Sequence, residues 1–155
     1  MPAAGIVAKP KEEILTFDEI ECMATVFARL GIAKIRITGG EPLVRKNLPE
    51  LVQRLARING IRTVALTTNG VLLKSHIKEL KQAGLNSVNV SLDTLRPQRF
   101  ERIALRSHYD DVLVGIDAAL EEGFAPLKVN MVVIGGVNDD ELAVIENRSM
   151  IEIGG

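Results

Sequence analysis

Apolar and polar residues alternate along four short stretches of the sequence, and a segment of helical periodicity follows each of the first three. The alternating stretches cover residues 35–38, 63–67, 87–91 and 128–134. Because the side chains of a strand point to opposite faces with a period of two, each stretch predicts a β-strand. Strands that alternate with helices predict a parallel sheet with right-handed crossovers.

Apolar residues at spacings of three and four predict four helices. The first begins after residues 16–19, Thr-Phe-Asp-Glu, which have the capping-box pattern of a helix start, and Gly31 stands where that helix should end. The other helices are predicted over residues 48–57, 73–83 and 110–122.

One face of every predicted strand is polar. Its residues are Arg36, Thr38, Thr67, Asn69, Asn89, Ser91, Asp93, Lys128 and Asn130. Parallel strands are usually apolar on both faces, so this pattern predicts helices over the apolar face and a ligand-binding cavity on the polar face. A closed eight-stranded barrel fills its interior with apolar side chains. An open, partial (β/α) barrel is therefore favoured over a closed barrel or a doubly wound sheet.

The polar positions lie mostly where the predicted strands end, beside the loops GGEPLVRKN, TTNG, SLDTLRP and GGVNDDE. The carboxyl ends of parallel strands carry the ligand site in both α/β architectures. The alternative for each single Thr or Asn is a structural role, in which the side chain satisfies the backbone of a turn. Taken together, the positions predict a binding site.

Composition excludes several classes of protein. The chain has 155 residues, a formal charge of −1 and no Trp, which argues against a nucleic-acid partner. No apolar run reaches the ~18 residues of a membrane span, so no membrane partner is expected. Cys22 is the one cysteine, and we expect it to be a small, partly buried residue of the first helix. A cytoplasmic location is predicted, with an organelle as the open alternative.

Five motifs occur in order along the chain: IRITGGEP, TTNG, NVSLDTL, KVN and GVNDDE. Together they resemble the molybdenum cofactor biosynthesis protein A family, the GTP 3′,8-cyclases of the radical S-adenosylmethionine (SAM) superfamily. The resemblance runs from Met1 to about Leu142. It implies one incomplete radical SAM core domain over residues 1–155, with an irregular lead-in over 1–15 and a divergent end over 143–155. The implied fold is a partial (β/α) barrel that lacks the first strand and the C-terminal region.

The resemblance also implies a chemistry. The family are lyases that convert GTP to a cyclic pyranopterin precursor, with SAM and four-iron, four-sulfur clusters as cofactors and a molybdopterin-precursor synthase as a second protein. By resemblance Gly40 and Ser91 are SAM positions. Arg36, Thr67 and Lys128 match the family's GTP contacts. A guanidinium, a hydroxyl and an ammonium group suit a nucleoside triphosphate.

By the same resemblance, the Gly-Gly-Glu-Pro turn is expected to meet the methionine end of SAM. Gly39 and Gly40 permit a close approach of the backbone, and Pro42 fixes the turn. Glu41 is expected to accept hydrogen bonds from the ammonium group. The predicted cofactor-binding set is therefore Gly39, Gly40, Glu41 and Ser91.

The chain departs from the family at its cluster motif, C-x₃-C-x₂-C, which in relatives directly precedes the Met-Pro pair that opens this sequence. We therefore expect the cluster ligands to be absent, and no catalytic residue or metal ligand is predicted. One hypothesis is a fragment of the cyclase that is inactive alone. The other is a non-catalytic GTP- or SAM-binding module that acts with an intact partner.

Two further expectations concern charge pairing and association. Arg36 or Lys128 has an alternative role as one half of a buried ion pair with Asp93 or Glu41. The first predicted strand has no earlier neighbour along the chain, and an unpaired edge strand favours association with other chains.

Overall fold

Five parallel strands form one sheet in the computed structural model, which describes residues 14–105 and 107–141 and, for the backbone alone, 151–154. The strands are β1 (Lys34–Ile37), β2 (Thr63–Thr68), β3 (Ser87–Ser91), β4 (Leu127–Asn130) and β5 (Ile151–Gly154). Their spatial order follows the chain from β1 to β5. A doubly wound sheet reverses its order at a switch point. The sequential order therefore confirms the prediction of a partial barrel.

Two predicted segments, the irregular lead-in and the divergent end, fall mostly on residues that the structure does not describe. Within that end the backbone of β5 is described, and it pairs in parallel with β4. None of the helices in the described residues is long and apolar enough to span a bilayer.

In the part of the chain that the structure describes, five α-helices connect or flank the strands. They are α1 (Phe17–Arg29), α2 (Leu48–Ala56), α3 (Leu73–Gln82), α4 (Pro97–Ala104) and α5 (Tyr109–Glu121). Four agree with the prediction to within one or two residues at each end. Helix α4 was not predicted, because it is only eight residues long and Phe100 is its one buried side chain.

The first helix has the ends that its sequence predicts. Thr16 Oγ1 accepts a hydrogen bond from the backbone N–H of Glu19, and the Glu19 carboxylate accepts from the backbone N–H of Thr16 at 2.7 Å. This reciprocal pair satisfies two N–H groups that the first turn leaves without helical partners. Gly31 has a φ of 94°, a left-handed conformation that ends the helix at low steric cost.

The core lies between the apolar face of the sheet and the helices. Val64 and Leu66 of β2 and Val88 and Val90 of β3 are each at most 1% exposed. The helices contribute Leu51, Leu55, Ile77, Leu80, Val112 and Ile116 to the same cluster. Burial of these side chains fixes the opposite face of the sheet as the polar one.

Two predictions are wrong. Strand β4 ends at Asn130, whereas the sequence predicted a strand to residue 134. Beyond Asn130, backbone N–H groups that a longer strand would pair with its neighbour donate to side chains instead. Asp93 accepts from the Val132 N–H, and Asn138 accepts from the Ile134 N–H. Cys22, predicted to be partly buried, is exposed on α1.

Candidate functional site

Four polar side chains lie on neighbouring strands and the same face of the sheet. Thr67, Asn89 and Lys128 are direct partners in the registers of β2, β3 and β4. Arg36 of β1 reaches this line from the edge strand, where its Nη1 donates to Thr67 Oγ1 at 3.0 Å. We call Arg36, Thr67, Asn89 and Lys128 the polar row. The three residues predicted to contact substrate, Arg36, Thr67 and Lys128, thus share one face.

The polar row is cationic at both ends and neutral between them. Arg36 is exposed, whereas Thr67 and Lys128 are half-buried. Fixed positive charges that flank neutral hydrogen-bonding groups on a sheet surface attract an anionic ligand and orient it. This arrangement suits a ligand that has both a phosphate group and hydrogen-bonding atoms.

Asn89 is the buried member of the row. Its side chain is 6% exposed, and its Nδ2 donates to Asn130 Oδ1 over a long 3.4 Å. The other amide atom, Oδ1, has no hydrogen-bond partner among the described residues. Buried polar atoms nearly always have partners, so an exception calls for an explanation.

Glu41 holds two loops together. Its carboxylate accepts from the Leu43 N–H of its own turn at 3.0 Å, from Thr68 Oγ1 at 2.7 Å and from the Asn69 N–H at 2.8 Å. The loop after β1 is thereby fixed to the loop after β2. The Glu41 carboxylate was expected to receive an ammonium group, but in the structure protein donors occupy it.

A second glutamate repeats this arrangement on the other side of the site. Glu141 accepts from Thr94 Oγ1 at 2.7 Å and from the Leu95 N–H at 2.5 Å. The two threonines also match, since Thr68 Oγ1 and Thr94 Oγ1 each accept from the N–H two residues later at 3.1 Å. We call these two arrangements the glutamate clasps. They join the loops after β1 and β2 and the loops after β3 and β4.

The second clasp is charged and buried. Glu141 is 3% exposed, and Arg99 of α4 donates to the same carboxylate. Burial raises the pKa of Glu141, but the hydrogen bonds from Thr94, Leu95 and Arg99 together outweigh it and hold that pKa below its ordinary value of 4.5. The carboxylate is therefore ionised at neutral pH, as an acceptor of three donors must be.

The glycines of the first loop leave space beside the backbone. Gly39 has a φ of 148°, and a Cβ built on it would have no atom within 4 Å. Gly40 is exposed in the same bend. The conformation of Gly39 is one that L-residues rarely adopt, and the open space beside it admits a ligand.

Ser91 lines a small cavity at the carboxyl ends of β2 and β3. The cavity has a volume of about 190 Å³ and is lined by Asn69, Val71, Ser91, Asp93, Thr94, Phe100, Ile103, Ala104 and His108. The polar row does not contribute to its lining. Ser91 nevertheless follows Asn89 by two positions on β3 and so lies on the same face of the sheet as the polar row. That Ser91 and the polar row face one shared ligand cavity stays a prediction.

The acids that were alternative partners for the cations have other contacts. Glu41 forms its clasp, and Asp93 Oδ1 accepts from the Val132 N–H at 2.9 Å. The Arg36 guanidinium instead donates to a neutral hydroxyl. Arg36 therefore supports the substrate-contact interpretation better than the ion-pair alternative.

Sequence reasoning missed three residues that shape the site: Thr94, Glu141 and Asn138. Asn138 is fully buried and donates to Asp93 O and Val132 O. A local signal existed, because Thr68 ends β2 and Thr94 stands three residues after β3, and each threonine accepts a hydrogen bond from the backbone N–H two residues later, as in a turn. Their glutamate partners lie 27 and 47 residues away.

Comparison with known proteins identifies a family. Residues 3–147 match the radical SAM superfamily. A GTP 3′,8-cyclase of Heliobacterium modesticaldum is 52% identical over 143 residues, which are 92% of this chain and 44% of the relative. A GTP 3′,8-cyclase of Alkaliphilus metalliredigens is 48% identical over 150 residues, 97% of this chain and 47% of the relative.

A longer animal relative matches the same region. Molybdenum cofactor biosynthesis protein 1 of Mus musculus is 49% identical over 142 residues, 92% of this chain and 22% of the relative. The chain thus spans less than half the length of each of these three curated relatives.

Solved structures with low sequence identity share the fold. TYW1 with a bound lysine-pyruvate adduct superposes with a TM-score of 0.70 at 21% identity, over 97% of this chain and 57% of that one. Methylornithine synthase superposes with a TM-score of 0.69 at 18% identity, over 90% of this chain and 44% of that one. These likenesses concern the fold alone.

Proposed function

The chain belongs to the radical SAM superfamily, and on that premise we propose that it forms the substrate-binding and SAM-binding part of a GTP 3′,8-cyclase of molybdenum cofactor biosynthesis. The names of two relatives that are about half identical to this chain support this function. In those proteins, by the resemblance stated above, GTP becomes a cyclic pyranopterin precursor. We propose the same substrate and the same reaction for the protein to which this chain belongs.

The polar row carries the proposal. Arg36, Thr67 and Lys128 come from three different strands, separated by 31 residues and more in sequence, and lie on one face. Arg36 and Lys128 supply charge for phosphates, and Thr67, whose hydroxyl accepts from Arg36, adds a polar contact between them. Charge-assisted hydrogen bonds to phosphate are about twice as strong as neutral ones.

The described residues fit SAM. The cavity beside Ser91 combines hydroxyl and carboxylate oxygens with the ring of Phe100, which suits a nucleoside. Ser91 and Asp93 would hold the sugar, and the open backbone at Gly39 and Gly40 would approach the methionine end. In the superfamily, SAM supplies the radical that starts the reaction. Glu41 acts here by holding the loop in place.

The described residues do not fit an iron–sulfur cluster. Such a cluster is held by several thiolates, and Cys22 is the only cysteine of the sequence. Within the described part of the chain, no three His, Cys, Asp or Glu side chains are grouped as a metal site would require. We assign cluster binding to none of these residues. A GTP- or SAM-binding module that works with an intact partner is the second candidate.

A molybdopterin-precursor synthase is the proposed second protein of the pathway, and GTP is the proposed small-molecule partner. The proposed compartment is the cytoplasm. Co-purification with the synthase and cell fractionation are the respective measurements.

Titration of this chain with GTP tests the proposal. We expect weak binding, with Lys128→Ala and Arg36→Ala each lowering the affinity roughly ten- to hundredfold, because a hydrogen bond to a charged group contributes about 1.5–3 kcal/mol. Added salt should weaken binding, since the cations are partly exposed.

Arg62→Ala is the matched control. Arg62 is an exposed arginine beside the amino end of β2, away from the polar row. Its replacement removes the same charge and should leave GTP affinity unchanged. Equal losses in the Arg62 and Arg36 variants would mean that net charge alone binds GTP. Tight binding that survives Lys128→Ala would refute the assigned site.

A further inference from the structure

The unpartnered oxygen of Asn89 lies at the centre of the polar row. Its two register partners, Thr67 and Lys128, are both proposed GTP contacts. Neighbouring strands are about 4.8 Å apart, so Thr67 and Lys128 are separated by about two such spacings, with Asn89 between them. A ligand that contacts both residues must cover Asn89.

The chemistry of this unpartnered oxygen, Asn89 Oδ1, restricts which ligand groups can bind it. An amide Oδ1 only accepts hydrogen bonds, and phosphate oxygens of a nucleotide at neutral pH are acceptors as well. A phosphate therefore leaves Oδ1 without a partner. The donors of a nucleotide are the sugar hydroxyls and the N–H groups of the base.

We propose that Asn89 is a specificity-determining residue, whose Oδ1 accepts a hydrogen bond from an O–H or N–H donor of the nucleoside. The inference rests on the proposed function, because it assumes that a nucleotide occupies the polar row. It also orients that nucleotide: the nucleoside lies over Asn89, and the triphosphate extends toward a flanking cation.

The orphan atom has a cost in the ligand-free protein. A buried polar group without a partner destabilises the fold, and an apolar group of similar shape removes that penalty. Asn89→Leu should therefore raise the Tm of the ligand-free chain by about 2–4 °C. A purely structural asparagine would show the opposite sign.

Asn86→Leu is the control for stability. Asn86 stands just before β3, and its Oδ1 accepts from the Val64 N–H at 2.7 Å. The same substitution there deletes a hydrogen bond that the fold uses. We expect Asn86→Leu to lower the Tm and to leave nucleotide binding unchanged.

Binding is measured with GTP, ITP, 2′-deoxyGTP, 3′-deoxyGTP and inorganic triphosphate. Asn89→Leu should weaken GTP about tenfold and leave triphosphate unchanged. The analogue that lacks the donor should bind the wild type as weakly as GTP binds the variant, and should show no further loss with Asn89→Leu. ITP tests the base amino group, and the deoxynucleotides test the sugar hydroxyls.

The outcomes separate this inference from the proposed function. If Arg36→Ala and Lys128→Ala weaken GTP while Asn89→Leu does not, only the role of Asn89 is refuted. Equal losses for triphosphate and GTP in the Asn89→Leu variant would also refute it. If the wild type does not bind GTP, both proposals fail. Asn89→Ala serves as the second variant if leucine disturbs the fold.

Discussion

At the scale of single residues, the two glutamate clasps show why a carboxylate suits this position. Each clasp presents two donors side by side, a threonine hydroxyl and the next backbone N–H, and the two oxygens of one carboxylate accept both. Hydrogen bonds to an ionised acceptor are stronger than neutral ones. Glu41 and Glu141 thereby fix the loops around the polar row without contacting it.

We predict that Glu141→Gln lowers the free energy of unfolding at pH 7 by about 1–3 kcal/mol, because an amide cannot accept from all the donors that face this carboxylate. The effect should depend on pH. Since the folded-state pKa of Glu141 lies below 4.5, the unfolded state binds more protons there, and stability from this group falls as pH falls below about 4.5. The difference between wild type and variant should then shrink.

Urea unfolding of both proteins between pH 3 and 7 measures this difference. Glu101→Gln, which changes an exposed carboxylate of α4, is the control and should leave the pH profile close to that of the wild type. A Glu141→Gln difference that stays constant across the whole range would show that the ionised carboxylate is not what stabilises the clasp.

Residue-level prediction from sequence reached the strand residues of the site but not the clasps. Periodicity places Arg36, Thr67 and Lys128 on a polar strand face together with six other residues. The family resemblance, not the period, singles out these three. Glu141 offers no such signal, because its partners Thr94 and Leu95 are distant in sequence and meet it only in the folded sheet.

At the scale of elements, the strand bounds predicted from sequence agree with the structure where polar and apolar residues alternate and no tertiary contact competes. Strand β3 was predicted with its observed bounds, because polar and apolar residues alternate along its sequence, and such alternation is a strong signal of a strand. Strand β4 was predicted too long, since Val132 and Ile134 favour a strand while Asp93 and Asn138 bind their backbone groups. Tertiary hydrogen bonds outweighed β-propensity there.

The capping box of α1 permits an element-scale prediction. Thr16→Ala should lower the free energy of unfolding by about 1 kcal/mol, because it leaves the Glu19 N–H without its acceptor. Thr25→Ala is the matched control on the same helix. Thr25 donates to Glu21 O within the helix and caps nothing, and alanine is the better helix former.

Thermal unfolding followed by circular dichroism compares the two variants. Thr16→Ala should shift the Tm down by about 2–4 °C, while Thr25→Ala should leave it unchanged or slightly raised. If Thr25→Ala loses as much stability as Thr16→Ala, the loss at Thr16 would not be specific to the capping hydrogen bond, and the capping interpretation would be contradicted.

At the scale of the whole molecule, the order of the sheet leaves β1 at one edge. Among the described residues, β1 pairs only with β2. Its exposed side chains are Lys34 and Arg36, and charged residues on an edge strand hinder pairing with another chain. The helix that precedes β1 lacks this protection, because it exposes large apolar side chains. Their exposed fractions are 46–77%, and they are Met23, Val26 and Phe27 of α1 and Leu30 just after it.

We therefore predict that the chain associates with itself as its concentration rises, through the apolar side of α1 beside the β1 edge. Phe27→Glu should shift sedimentation toward monomer, since it places a charge within that surface. Val114→Glu is the control, because Val114 is 41% exposed on α5, apart from the α1 surface. Sedimentation velocity at several concentrations measures the equilibrium. An interface on α1 would be contradicted if the wild type is monomeric at every concentration, or if the two variants have equal effects. A shift toward monomer that occurs only with Phe27→Glu would place the association on the surface beside the open edge of the sheet.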